Sequence, residues 1–346
     1  MNRSAGPTAP ALGRRRLLCG VLAVAAWLGA VDGAVAQERR YTVAFANLTE
    51  EPGVTLEGTG FTGREVRESF TLAARRYPID LVIYDNQRDD ARALTNAEDA
   101  IAKKVDLYIL YHRDPATNAA IVLKLKGAGI PVIALNHAAG ATPLYTIDNV
   151  AAGRMAGEAL GDFAVRNWRA QNKIVAVLGP LGAQAEGIPE RVQGVTEGLK
   201  RQLPSTRVVM LDTQGNPAQV GALLGKLLAA QPTAKILIAA TDDQTALAAK
   251  AALESAGRLQ DGAIVSHGVD RSIHGGINEK KEIDPNNRGS IVIGSVAFYL
   301  DRAGYDVLPL ALGMLQGQTL PPRTTVGHRL VTAANVFTEY PPYDMN

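Results

Sequence analysis

Cysteine is almost absent from this chain of 346 residues, and the single one, Cys19, lies within the first 36 positions. One cysteine excludes intrachain disulfides, and its position excludes thiolate zinc sites and cysteine nucleophiles from residues 37–346. The five histidines never fall in a metal-binding spacing such as H-x-x-x-H or H-E-x-x-H. The sequence therefore predicts a protein that uses neither a metal nor a cofactor.

The chain also has no excess of charge of one sign, with 36 basic and 34 acidic residues. Residues 1–36 hold four of the basic and one of the acidic residues, which leaves a net charge of about −1 on residues 37–346. This balance provides no basic surface for nucleic acid. Hydrophobic residues make up 47% of the chain, too many for a disordered protein, and the length suits two domains.

Residues 1–36 have the features of a secretory signal peptide. Three arginines at 14–16 precede an apolar run at 17–31, and small residues that end at Ala36 fit a signal peptidase. The apolar run is shorter than the roughly 20 residues of a membrane span. We expect cleavage after Ala36 and a periplasmic location, reached by either the Sec or the twin-arginine route.

From Tyr41 onward, short β-branched runs alternate with segments of helical period, in two successive series. This alternation is typical of parallel strands joined by helices. Strands are predicted at 42–47, 80–84, 106–111, 131–135, 145–147, 173–178, 207–211, 235–240, 263–267 and 290–293. Helices are predicted near 62–76, 91–103, 116–127, 151–167, 189–203, 218–230, 244–256 and 301–315.

Ten strands are more than one sheet usually takes at this length. The predicted fold is therefore α/β, with two doubly wound parallel-sheet lobes joined by a three-crossover hinge. Lobe one is predicted to comprise residues 41–147 plus 298–327, and lobe two residues 148–297 plus 328–346.

A glycine motif at 58–63 satisfies G-x-G-x-x-G, and Asp85 closes the next predicted strand as a ribose-binding carboxylate would. In a dinucleotide site, however, the glycines leave the first strand directly, whereas residues 48–57 intervene here. The segment is better interpreted as a mobile loop over a cleft. The dinucleotide site stays open as an alternative.

Polar residues cluster where the predicted strands end, which is where open parallel sheets bind ligands. Carboxylates and amides can accept hydrogen bonds from sugar hydroxyls, and arginines can donate to them. The clustered residues are Asn47, His112, Arg113, Asn136, His137, Asp242, Asp243, Asp270 and Arg271.

Seven segments follow one another in a characteristic order and spacing: Asp85–Asp89, Gly129–Asn136, Ile147–Gly153, Pro189–Gly194, Thr241–Leu247, Gly268–Asp270 and Leu330–Val336. Together they resemble the type I periplasmic sugar-binding proteins, the ribose-, galactose- and lactose-repressor-like group that serves ABC transporters. The resemblance spans almost all of residues 41–346.

The resemblance implies three ligand-binding residues in lobe two. Arg191 falls on the family's R-x-x-G arginine, Asp242 with Asp243 on its Asn-Asp pair, and Asp270 on its G-x-D aspartate. The alternatives are a solvent-exposed charge for Arg191 and caps of helices or turns for the aspartates.

The sequence departs from the family in lobe one. Asn136 and His137 stand where many relatives have an aspartate-arginine pair, and Phe61 is the one aromatic residue of the first loop. Phe298 stands where a glutamine is usual. A standard ribose or glucose site is therefore in doubt, and a deoxysugar, polyol, furanose or small non-sugar solute fits as well.

These observations predict a monomeric, non-catalytic solute-binding protein that carries a sugar or polyol to an ABC transporter permease. Two alternatives stay open from the sequence. One is a sensory subunit that presents ligand to a chemoreceptor or histidine kinase, and the other is an exported NAD(P)-dependent oxidoreductase that uses the glycine motif.

Overall fold

The computed structural model describes residues 39–182, 187–275, 281–287 and 290–341. The predicted signal peptide, its cleavage site and the last residues of the predicted second lobe lie outside the described residues. Within the described ranges, no helix is both long enough and apolar enough to cross a membrane.

Five strands from the first half of the chain and one from near its end, Arg323–Thr325, build a six-stranded sheet in the order β11-β5-β4-β3-β1-β2, and all of its pairings are parallel. The strands are β1 (Tyr41–Asn47), β2 (Ile79–Asp85), β3 (Leu107–Leu110), β4 (Val132–Leu135), β5 (Leu144–Thr146) and β11 (Arg323–Thr325). The helices of this lobe are α1 (Gly63–Ala74), α2 (Asp90–Ala102), α3 (Pro115–Gly127) and α9 (Ala303–Leu315). We call this unit lobe one.

The second sheet also has six strands, in the order β12-β10-β9-β8-β6-β7, and only the short β12 runs antiparallel to its neighbour. The strands are β6 (Lys173–Gly179), β7 (Val208–Asp212), β8 (Lys235–Ala240), β9 (Gly262–Gly268), β10 (Val292–Ala297) and β12 (Leu330–Val331). The helices are α4 (Asn149–Asn167), α5 (Ile188–Gln202), α6 (Gln219–Ala230), α7 (Asp243–Ser255), α8 (Arg271–His274) and α10 (Val336–Glu339). We call this unit lobe two.

The two-lobed α/β fold confirms the prediction from alternating strands and helices. Continuous apolar strands bury both faces under helices, which is why β1, β3 and β8 have fully buried side chains at most positions. The tenth strand was placed wrongly: 290–293 was predicted, but β10 extends over Val292–Ala297. Gly294 interrupts the run of β-branched residues in β10, so the sequence pattern placed the end of the strand at residue 293 although the strand continues to Ala297.

The chain passes between the sheets after β5, after β10 and after β11. Short strands β11 and β12 were not predicted, because three and two residues carry too little periodicity to detect. Their sheet membership agrees with the three predicted crossings. The boundaries 41–147 plus 298–327 and 148–297 plus 328–346 stay predictions.

Candidate functional site

The polar residues predicted at strand ends lie at the carboxyl edge of each sheet. In lobe one, Asn47 ends β1, His112 follows β3 and Asn136 follows β4. In lobe two, Asp242 follows β8 and Asp270 follows β9. Because all these strands are parallel, each lobe collects its polar groups on one side.

Arg191, in the first turn of α5, is fully buried and connects the two lobes. Its guanidinium donates to the carbonyl oxygens of Glu57, at 3.0 Å, and Gly58, at 2.9 Å, in lobe one. In lobe two it donates to the carbonyl oxygen of Thr241 and, at 2.9 Å, to Oδ1 of Asn149. Burial lowers the pKa of Arg191 to about 10. The side chain therefore keeps its positive charge at neutral pH.

Glycines set the position of Arg191 by letting α4 and α5 touch along their backbones. A Cβ on Gly153 would lie 1.9 Å from the carbonyl oxygen of Arg191, and one on Gly194 would lie 2.1 Å from that of Val150. The Phe298 ring lies 4.5 Å from the guanidinium, in cation–π contact. The apolar residue at the usual glutamine position thus supports the arginine.

A tight hairpin tip at Leu56–Phe61, here named the cleft hairpin, supplies the lobe-one carbonyl groups. Its ends are joined by an N–H···O=C bond of 2.8 Å, and the Thr59 N–H closes the turn at 3.0 Å. Glu57 and Gly58 have positive φ angles of 55° and 59°. The segment predicted as a loop over a cleft therefore reaches into contact with lobe two.

The side chain of Glu57 forms its hydrogen bonds with other residues of lobe one. Its Oε1 accepts a hydrogen bond from the Tyr111 hydroxyl at 2.6 Å and lies 3.1 Å from Nε2 of His137. Burial raises the pKa of Glu57, but the hydrogen bonds from His137 and Tyr111, with the charge of Arg113, hold the pKa below its usual range. Glu57 is therefore a buried carboxylate that keeps its negative charge.

Lobe two places a second buried carboxylate, Asp243, beneath Asp270. Oδ1 of Asp243 accepts from the hydroxyls of Ser266, at 2.5 Å, and Ser295, at 2.7 Å, and Oδ2 accepts from the Asp270 N–H at 2.7 Å. Burial, followed by the neighbouring Asp270 carboxylate, raises the pKa of Asp243 well above its usual range. Asp243 thus holds the loop that carries Asp270.

The glycine motif packs against the chain's own polar groups. A Cβ on Gly60 would lie 1.4 Å from Oδ2 of Asp270, and one on Gly63 would lie 1.6 Å from the Thr49 carbonyl oxygen. A carboxylate beside the motif would repel a pyrophosphate. The geometry at these glycines therefore does not fit a dinucleotide.

Other predicted residues have local partners. Asn47 donates to the Gly63 carbonyl oxygen at 2.8 Å, and His112 Nε2 lies 2.8 Å from Asp90. Asp242 is the N-cap of α7, where it accepts from the Thr245 N–H at 2.7 Å. Asp242 therefore caps a helix, which was the alternative to a ligand-binding role. Phe61 is buried at the end of the cleft hairpin, and Arg113 is exposed in a surface pocket that His112 also lines.

Hydrogen-bonding capacity remains on four of the predicted residues. Oδ1 of Asn47, Nδ1 of His112, Oδ2 of Asp270 and both amide atoms of Asn136 are buried without a hydrogen-bond partner in the structure. Buried polar atoms of this kind usually bind a partner. These atoms can both donate and accept, as a polyhydroxylated ligand requires.

The sequence did not single out Glu57, Tyr111 or Asn149, although each forms a hydrogen bond at the site. Glu57 lies in a glycine-rich loop, and Tyr111 reads as the apolar end of a buried strand. Asn149 was noted only within a family segment. A charged residue inside a loop dense in glycine was the one available signal for Glu57.

The buried side chain of His267 makes the stability of the protein depend on pH. Burial, followed by the charge of Arg191, lowers its pKa to about 3. The unfolded chain takes up a proton near pH 6.5 and the folded protein does not, so this contribution to stability is lost as pH falls below 6.5. Between pH 7.5 and 5 we expect the His267→Gln variant to lose about 2 kcal/mol less unfolding free energy than wild type. Urea unfolding at both pH values measures this, and equal losses would contradict it.

The profile of the periplasmic binding protein domain matches residues 53–319 of this chain. No curated protein matches it in sequence. Among similar solved structures, a sugar-binding protein of a Bacillus halodurans sugar ABC transporter is 19% identical, with a TM-score of 0.66, over 87% of this chain and 100% of that one.

Two further solved structures have the same architecture. A solute-binding protein from Bacillus halodurans C-125 with bound myo-inositol is 18% identical, with a TM-score of 0.64, over 89% of this chain and 100% of that one. A glucose-galactose binding protein from Geobacillus stearothermophilus is 18% identical, with a TM-score of 0.60, over 86% and 99%. These likenesses show the shared fold, and because the profile match covers most of the sequence, the chain belongs to the periplasmic binding protein family.

Proposed function

We propose that this protein is an exported solute-binding protein that captures a monosaccharide or related polyol between its lobes and delivers it to an ABC permease. One observation carries the proposal: the buried guanidinium of Arg191 reaches from lobe two to acceptors that belong to lobe one. A buried arginine between the lobes can join them by donating hydrogen bonds to acceptors of either lobe or of a bound ligand. A group of this kind can hold the two lobes closed.

The remaining polar atoms fit hydroxyl groups. Asp270 offers a carboxylate oxygen, and Asn136 offers both a donor and an acceptor. The myo-inositol bound to the Bacillus halodurans relative is a polyhydroxylated ring of this kind. A non-catalytic role is in keeping with this family. The proposal includes removal of the signal peptide after Ala36, release into the periplasm and action as a monomer.

A thermal-shift panel of monosaccharides, sugar acids, polyols and nucleosides tests this function. At a hundredfold excess over its dissociation constant, a ligand adds about 2.7 kcal/mol to the unfolding free energy. We expect a midpoint increase of roughly 5–10 °C. NAD and NADP serve as controls and should cause no shift. A shift with either dinucleotide, and with no sugar, sugar acid or polyol, would reject the proposal.

A further inference from the structure

The cleft hairpin occupies the acceptor positions around Arg191. Two of the guanidinium donors bind its backbone, at the carbonyl oxygens of Glu57 and Gly58. Under the proposed function, a bound sugar would present its hydroxyl oxygens to this same arginine. Since a donor atom in a closed site serves few acceptors at once, hairpin and sugar compete for it.

Glu57 makes the second attachment, and this one is charged. Glu57 is only 6% exposed, and its carboxylate lies between the Tyr111 hydroxyl and the His137 ring. The rings of Tyr111 and His137 stack with centroids 5.9 Å apart, which holds both donors toward the same oxygen. The charge of Arg113 also favours the ionised form of Glu57. Lobe one thus contains a preformed receptor for one carboxylate.

Gly60 makes the third attachment through its lack of a side chain. The Cβ that alanine would add lies 1.4 Å from Oδ2 of Asp270. Asp270 cannot turn away freely, because its Oδ1 caps α8 by accepting from the Ser272 N–H at 2.8 Å. The hairpin therefore fits against lobe two only with glycine at this position.

The tip of the hairpin, residues 57–60, can leave the site while Leu56 and Phe61 stay buried in the hydrophobic core. Its internal hydrogen bonds join Leu56 to Phe61 at 2.8 Å, and the Thr59 side chain to the Leu56 carbonyl oxygen at 2.7 Å. These bonds join residues of the hairpin only, so they persist when the attachments at Arg191, Glu57 and Gly60 break.

We propose that the cleft hairpin occupies the ligand site when no ligand is bound, and that a monosaccharide acid displaces it. Such a ligand is a hydroxylated ring or chain with one carboxylate. The inference rests on the proposed function. A neutral sugar would offer Tyr111 and His137 only an uncharged hydroxyl oxygen in place of the Glu57 carboxylate, and hydrogen bonds to a charged acceptor are the stronger ones. A sugar acid restores that acceptor with its carboxylate and supplies hydroxyl oxygens to Arg191.

Titration calorimetry at pH 7.5 with glucuronate and galacturonate, each against glucose and galactose, tests the ligand class. We expect each acid to bind at least tenfold more tightly than its neutral parent. Tyr111→Phe removes a donor from the Glu57 carboxylate and from the ligand carboxylate alike, so it should leave affinity for the acids near that of wild type, raise affinity for the neutral sugars, and narrow the preference for the acids about tenfold. Neutral sugars that bind as tightly as the acids would overturn this inference and leave the proposed function intact. Failure of both acids to bind would also overturn this inference, whereas the thermal-shift panel decides the proposed function separately.

Gly60→Ala tests competition by the hairpin, because the added methyl group pushes the hairpin away from Asp270. We expect three- to tenfold tighter binding of glucuronate, since a competitor is weakened. Gly127→Ala is the matched control, because nothing lies within 4 Å of its Cβ position, and it should bind as wild type does. Glu57→Gln weakens the hairpin without adding volume and should act in the same direction. Weaker glucuronate binding in both variants would make the hairpin part of the ligand site and reject the competition.

Discussion

Replacing Arg191 by alanine is expected to lower the unfolding free energy of the protein without ligand by about 3 kcal/mol, or roughly 6–12 °C in midpoint. The loss arises because buried carbonyl oxygens in both lobes lose a charged donor together. A cavity at the fully buried side chain adds to the cost. Thermal and urea unfolding measure this change.

The matched control is Arg201→Ala on the same helix. Arg201 pairs with Glu158 at the surface, with 63% of its side chain exposed, and such pairs contribute about 0–1 kcal/mol. Arg191→Lys keeps the charge but loses the planar fork of donors, so its loss should lie between the two. If Arg191→Ala proved as stable as Arg201→Ala, the lobes would not be held through this side chain.

Replacing Asp243 by alanine is expected to cost about 3 kcal/mol as well. The substitution leaves the buried hydroxyls of Ser266 and Ser295 and the N–H of Asp270 without their acceptor. The neighbouring Asp242→Ala is the control, since loss of an N-cap costs about 1 kcal/mol. Chemical unfolding of the two variants measures the difference, and equal losses would show that the Asp243 network contributes no more than a cap.

Asp243→Asn separates hydrogen bonding from charge. The amide can donate to the serine hydroxyls and accept from the backbone N–H, so its cost at pH 4 should be small. Burial raises the pKa of Asp243 above its unfolded value, so the folded protein holds the proton longer and wild-type stability falls as pH rises past about 4. Asparagine lacks this titration, and the variant should gain on wild type between pH 4 and 7.5. A constant difference across this range would contradict the raised pKa.

Much of the fold could be predicted from local patterns. Eight long helices and nine of the ten predicted strands lie where period and β-branching placed them, within a few residues. The exceptions have physical reasons: Gly294 hid the extent of β10, and β11 and β12 are too short to show a period. Such short strands form because a sheet edge offers them a partner, which is a long-range effect.

The candidate site was predictable only in part. Family resemblance indicated Arg191 and Asp270, and topology brought the strand-end residues to the carboxyl edges of the two sheets. The roles of Asp242 and Asp243 could not be told apart, because they differ by one position and only the helix geometry decides which one caps and which one is buried.

The sequence by itself determined the α/β class, the two lobes, the family and the near balance of charge, because periodicity, composition and motif order are properties of the chain. Only the tertiary structure decided what lies against Arg191. Glu57 and Arg191 are far apart in sequence, and their contact depends on three crossings and on the positive φ angles of the hairpin. Contacts between distant segments leave no periodic pattern in either segment, so the hairpin in the cleft could be found only in the folded chain.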